Sequence, residues 1–146
     1  MDPIEAYLQS IPEFRQTRIR HWLRVIEAAE PTLQSRLWDY GGGLVGYGHY
    51  HYRYASGRTG EYFMTGIGNR KRSIVIYANA ADGERYLVET FRDRLPGCKI
   101  GKSCIEVPDR ASISDEVLAD LTRQTAAYFL AEMLKPSVPG TMQIWE

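Results

Sequence analysis

Apolar residues recur at helical spacing toward both ends of the chain and alternate with other residues in its middle. Ile4, Tyr7 and Leu8 follow Asp2 and Pro3, a capping residue and a favourable first helical residue, and Ile11-Pro12 breaks the pattern. From Glu13 to Glu30 a second helix is expected. Its apolar face is Ile19, Trp22, Leu23 and Ile26, with Arg18, Arg20, Arg24 and Glu27 between them and Pro31 as the stop. Thr32 to Leu37 is expected to add one or two helical turns before Gly41-Gly42-Gly43 ends any helix. The period then becomes two. One parity of Leu44 to Tyr54 holds Leu44, Gly46, Gly48, Tyr50, Tyr52 and Tyr54; the other holds Val45, Tyr47, His49, His51 and Arg53. This reads as a strand with an aromatic face and a more polar face. Glu61 to Gly68 returns from the Ser56-Gly57-Arg58-Thr59-Gly60 turn, and the β-branched run Ser73 to Tyr77 follows as a buried third strand.

Beyond Asp82-Gly83, Leu87, Phe91 and Leu95 mark a helix that Pro96-Gly97 stops, and Cys98 to Val107 is extended with a bend at Gly101. Ser114 caps a closing helix expected over Asp115 to Leu134, with Leu118, Leu121, Thr125, Phe129 and Met133 on one face. These elements predict one α+β domain over residues 1–146, a two-layer sandwich in which N-terminal and C-terminal helices cover an antiparallel meander. The core runs over about 3–134; the tail 135–146 is expected to be irregular, with Ile144-Trp145 apolar enough to dock. The uncovered sheet face is the expected ligand side.

Composition narrows the function classes. Lys plus Arg total 18 and Asp plus Glu total 18, so no basic excess supports a nucleic-acid partner. No apolar run approaches the roughly 20 residues of a bilayer span, and Met1 to Glu5 lacks the basic and apolar regions of a signal peptide, so a cytoplasmic location without membrane partners is expected. Cys98 and Cys104 are too few for a disulfide framework.

Three groups of residues carry possible chemistry. His49 and His51, at i and i+2 on a strand, place two imidazoles about 7 Å apart on one face, a spacing that fits one metal ion if Asp39, Glu61 or Cys104 completes the shell. The other reading makes both histidines half-exposed strand residues. Tyr50, Tyr52 and Tyr54 form a stripe that either stacks on a planar ligand or packs under the helices. Cys104, two residues from Lys102, is either an activated thiol or a small core residue. Gly41, Gly43 and Gly46 match a dinucleotide-loop pattern but lead into a strand, and Gly101-Lys102-Ser103 lacks the upstream glycine of a P-loop, so neither is a phosphate loop. Arg70-Lys71-Arg72 reads as a solvated turn.

Tyr40-Gly41 through Gly46-Tyr47-Gly48, then Tyr50 through Arg58, and Gly101-Lys102-Ser103-Cys104-Ile105 resemble in order and spacing the pattern of the YdhG-like domain family, small bacterial proteins related to frataxin-type domains. The resemblance spans about residues 3–130; Gly42-Gly43 and His49 differ from its usual Met-Pro and Lys. It implies a compact α/β sandwich and, for some members, a role in handling iron. Taken together, the chain reads as a non-enzymatic binding domain for a small molecule or metal ion, iron being the metal implied. The expected ligand-binding residues are Tyr47, His51, Tyr52, Arg53, Tyr54, Arg58, Lys102, Ser103 and Cys104, with His49, His51, Asp39 and Glu61 toward a metal. If the motifs mark one site, Tyr47, His51, Arg53, Arg58 and Lys102 to Cys104 should converge on one concavity. The alternative is a small enzyme with Cys104 as nucleophile, His51 as base and Lys102 as electrostatic helper.

Overall fold

The Asp2 side chain accepts a hydrogen bond from the Glu5 N–H at 3.0 Å, and Pro3 needs no donor of its own, so α1 (Pro3–Gln9) begins there. The second helix, α2 (Glu13–Ala29), buries Ile19, Trp22, Leu23 and Ile26, the stripe its spacing predicts. The closing helix, α3 (Asp115–Met133), starts at Ser114, whose hydroxyl accepts from the Val117 N–H at 3.2 Å. This computed structural model describes residues 1–146 as a mixed α+β chain, with these three helices, one 3-10 helix and a seven-stranded antiparallel sheet.

The sheet orders β1 (Ser35–Trp38), β2 (Leu44–Arg53), β3 (Thr59–Asn69), β4 (Ile74–Ala78), β8 (Cys104–Val107) and β7 (Lys99–Ile100) side by side. A seventh strand, β9 (Gln143–Trp145), pairs with the far half of β2, placing Trp145 opposite His51. Two short strands, β5 (Ala81–Asp82) and β6 (Arg85–Tyr86), form a separate hairpin. The β2-β3-β4 meander is the expected one. Ile19, Trp22, Ile26, Leu118 and Leu121 from the helices pack with Val45, Ile67, Ile74, Ile76, Ile105 and Val107 in the main core. No helix is long and apolar enough to cross a membrane.

Several expectations need correction. Ser35 to Leu37, part of the Thr32 to Leu37 stretch expected as helical turns, belongs to β1, because Ser35↔Tyr47 through Trp38↔Leu44 give it a partner strand that an isolated helical turn would lack. Leu87–Arg94 is a 3-10 helix; with three residues per turn, Val88 and Phe91 share one face and both are buried. The tail is not irregular throughout, since Ile144 is buried against Tyr50, Met64 and Phe129 while β9 pairs with β2.

The most consequential correction lies in β2. Gly48 takes φ +78° and has no partner on β3, and the parity of the strand changes there although Tyr47↔Thr65 and His49↔Phe63 keep the same register on either side. Val45 and Tyr47 sit in the core beneath α2, and past Gly48 it is Tyr50 that packs on α3, its ring 4.6 Å from that of Phe129. Gly46, His49 and His51 accordingly share the opposite side, where Trp38 contacts the position of a Gly46 side chain and the His49 ring. An L side chain at Gly48 would be strained, and its Cβ would lie 2.6 Å from the Met64 sulfur.

The face away from the helices is not open. Leu44, Phe63 and Val75 are buried there with no helix above them. Trp38 lies over Gly46, and the Arg70 guanidinium over Gly68 and Gly41. Arg70 donates to the carbonyls of Tyr40, Gly43 and Asn69 and to the Tyr77 hydroxyl. It is a structural arginine rather than part of a solvated turn.

Candidate metal centre

On the glycine-shifted half of β2, His49 and His51 stand side by side on the surface away from the helices, with ring centroids 4.8 Å apart. Register brings Glu61 of β3 directly opposite His51 and two residues from Phe63, the partner of His49. One carboxylate oxygen of Glu61 is therefore 2.9 Å from His49 Nε2 and 3.6 Å from His51 Nε2. One ligand atom from each of the three residues lies within 4.8 Å of the others. All three are partly solvent-accessible, so an ion can reach them from outside.

The surroundings orient these ligands. The Trp145 ring stacks on His51 at 5.6 Å and 14°, the Trp38 ring is 5.9 Å from His49, and Arg53 sits over Trp145. Arg36, 3.6 Å from Glu61 and over the Trp38 ring, supplies a flanking positive charge. The His49 hydrogen bond, with Arg36 and His51 nearby, holds the Glu61 carboxyl below its usual range, so it is ionised and ready to act as a ligand. His51 Nδ1 is shielded from solvent and has no hydrogen-bond partner. Such an orphaned nitrogen costs free energy that a bond to an ion or a proton acceptor would recover.

The other expected residues do not join this group. Asp39 lies beyond Trp38, at the Leu44 end of the β1–β2 ladder and away from the histidines. Tyr47 is on the helix side, its hydroxyl donating to Glu27 at 2.5 Å, and burial pushes its pKa strongly upward. Tyr52 is half-buried with its hydroxyl toward Gly60, Tyr54 is exposed 5.0 Å from the Tyr52 ring, and Arg58 closes the β2–β3 turn through its carbonyl. The tyrosine stripe thus starts in the core at Tyr50 and ends in solvent.

Nor do the two motif regions converge. Gly46 pairs with Gly66, Gly66 with Tyr77 and Tyr77 with Cys104, so Cys104 is in register with Gly46, three strands away. Three interstrand steps and five residues along the sheet separate it from His51 by roughly 20 Å. Gly101 to Cys104 is the turn of the β7–β8 hairpin, closed by the Gly101 N–H to the Cys104 carbonyl at 2.9 Å, with Ser103 at φ +59° and Lys102 exposed. Burial, with Glu106 nearby, raises the Cys104 pKa, the opposite of what an activated thiol needs. The expected concavity is absent because the sheet interposes two strands between its halves.

Trp38 and Arg36 escaped the sequence reading, and Trp145, expected only to dock, was not foreseen beside His51. The only signal for the first two was indirect: Arg36 and Trp38 alternate as strand residues do, and glycines at 46, 66 and 68 leave room for large side chains above them. No family model, no curated protein and no solved structure matches the chain.

Proposed function

We propose that the chain is a non-enzymatic metal-binding domain in which His49, His51 and Glu61 hold one divalent transition-metal ion as exchangeable cargo. The single observation behind this reading is the approach of two imidazoles and one ionised carboxylate to within 4.8 Å. Two histidines and a carboxylate suit Fe(II) and Zn(II), and three protein ligands leave further coordination positions to water or to an acceptor. Ligand exposure favours loading and release over permanent retention. The resemblance to YdhG-like and frataxin-type domains favours iron and a two-layer sandwich, a layout consistent with helices packed on one side of the sheet. Cys104 and Lys102 have no part in this function.

Anaerobic Fe(II) titration of the full chain, read by calorimetry with Zn(II) and Co(II) in parallel, tests the proposal. One ion per chain is expected, with loss of binding in the His49→Ala, His51→Ala double variant and in Glu61→Gln. Absence of heat at tens of micromolar protein, or binding unchanged in both variants, would sink it.

A further inference from the structure

A groove of about 510 Å³ opens where β2 is unpaired between β1 and β9. Its size is that of a small-ligand site. Its apolar lining is Leu33, Met64, Ala126, Leu130 and Met133, and Leu130 is 60% exposed although it carries no polar group. Gly48 keeps the floor clear, because any side chain there would meet Met64.

The electrostatics of the groove are one-sided. Its only charged residues are Glu30 and Glu146, although the chain carries 18 Lys and Arg. Glu30 is the C-cap of α2, and Leu130 and Met133 belong to the last turns of α3, so two helix C-termini meet at the same place. Neither helix has a basic residue in its last turn. The nearest lysine after α3, Lys135, is engaged with Glu132 at 2.5 Å. Helix C-termini carry partial negative charge that a cation relieves. Two of them, two carboxylates and an aliphatic floor form a receptor for a positively charged head on an apolar body.

We infer that this groove binds a primary alkylammonium ligand, its ammonium group between Glu30, Glu146 and the two helix ends and its alkyl chain along Leu33, Met64, Leu130 and Met133. The inference does not depend on the metal site, which shares only His49 with the groove. An anionic or arginine-seeking ligand is excluded by the same charges.

Hexylamine, hexanol and hexanoate serve as probes of equal length with positive, neutral and negative heads. Titrated into the full chain at low salt and followed by NMR of the Leu33 and Leu130 methyl groups and the Met133 methyl, hexylamine is expected to shift all three and hexanoate none. Hexanol should bind at least about tenfold more weakly than hexylamine, and Glu30→Gln should weaken hexylamine by about tenfold without changing hexanol. Glu116→Gln, at a carboxylate outside both the groove and the histidine cluster, should leave hexylamine binding unchanged. Equal affinity for amine and alcohol, or an amine response untouched by Glu30→Gln, would overturn the inference. Shifts spread over distant carboxylates such as Glu116 and Asp93 instead of the groove methyls would overturn it as well.

Discussion

Toward the helices, β4 and β8 present Ile74, Ile76, Ile105 and Val107 at every second position; on the other face the neighbouring strands carry Gly46, Gly66 and Gly68. The first face is closed by whole helices whose apolar stripes fit over it. The second is closed side chain by side chain, with Trp38 and Arg70 lying flat in the space that the glycines leave. Branched side chains demand a partner layer, whereas glycines let the sheet act as the floor for its own residues. The proposed metal ligands stand at the end of the second face, where this self-made cover gives way to His49, His51 and Glu61.

Breaking the helix-covered face should produce the largest effect. Leu121→Ala removes a side chain that is 1% exposed in the main core, and should lower stability by about 2–5 kcal/mol, measured by urea unfolding. Truncating Arg70 tests the other face. Arg70→Met takes away hydrogen bonds to three carbonyls and a hydroxyl, with an expected loss of about 1–3 kcal/mol. Arg70→Lys should recover little, because one ammonium cannot reproduce the planar fork that spans Tyr40, Gly43 and Tyr77. A loss smaller than about 0.5 kcal/mol for Arg70→Met would show that the second face holds without its arginine.

That asymmetry explains how much was legible in the sequence. Helix-side residues betray themselves by period, so Ile19, Trp22, Leu23, Ile26, Leu118 and Leu121 were all readable as core. The alternation in β2 was readable only up to Gly48, because glycine carries no side chain to signal that the backbone turns over at φ +78°. His49 and His51 were thus legible as a pair, and Glu61 as one of three possible third ligands; choosing it over Asp39 and Cys104 required the strand register. The contacts of Trp145 with His51 depend on closing a long loop from α3 back to β2, which no local pattern encodes.

Gly48→Ala joins the two faces in one measurement. It forces an L residue to φ +78° against the Met64 sulfur, and should cost about 1–3 kcal/mol. Pairing it with Met64→Ala should relieve the steric part and leave the backbone strain, giving a double variant less unstable than the sum of the single changes. Strict additivity would mean that the conformation at Gly48, and not its contact with Met64, is what excludes a side chain.

Tyrosine titration compares the faces by pH. Tyr47 and Tyr50 under the helices, and Tyr62 and Tyr77 on the other side, all have pKa values raised above the ordinary 10.0, with burial as the first cause. The unfolded chain therefore ionises before the folded one. Their contribution is intact below pH 10 and declines as pH rises beyond it. Tyr47→Phe should flatten this alkaline decline more than Tyr77→Phe, because Arg70 beside Tyr77 favours its ionised form. Equal flattening, read from urea midpoints across that range, would place the two hydroxyls in equivalent surroundings.

The smallest stability effect is expected at Trp145, and there the comparison becomes functional. Its ring is half-buried against His51 and beneath Arg53 at the end of a three-residue strand, so Trp145→Ala should cost below about 1 kcal/mol. The ring nonetheless fixes one imidazole on the face of the sheet away from the helices, and its loss frees His51 to sample other rotamers. Metal affinity should then fall several-fold while the urea midpoint scarcely moves, and Trp145→Phe, which keeps a stacking surface, should restore most of the affinity. If Trp145→Ala instead lowers stability as much as Leu121→Ala, β9 belongs to the core rather than to the edge. If the affinity of Trp145→Ala is unchanged, β2 and β3 alone hold His51 in place.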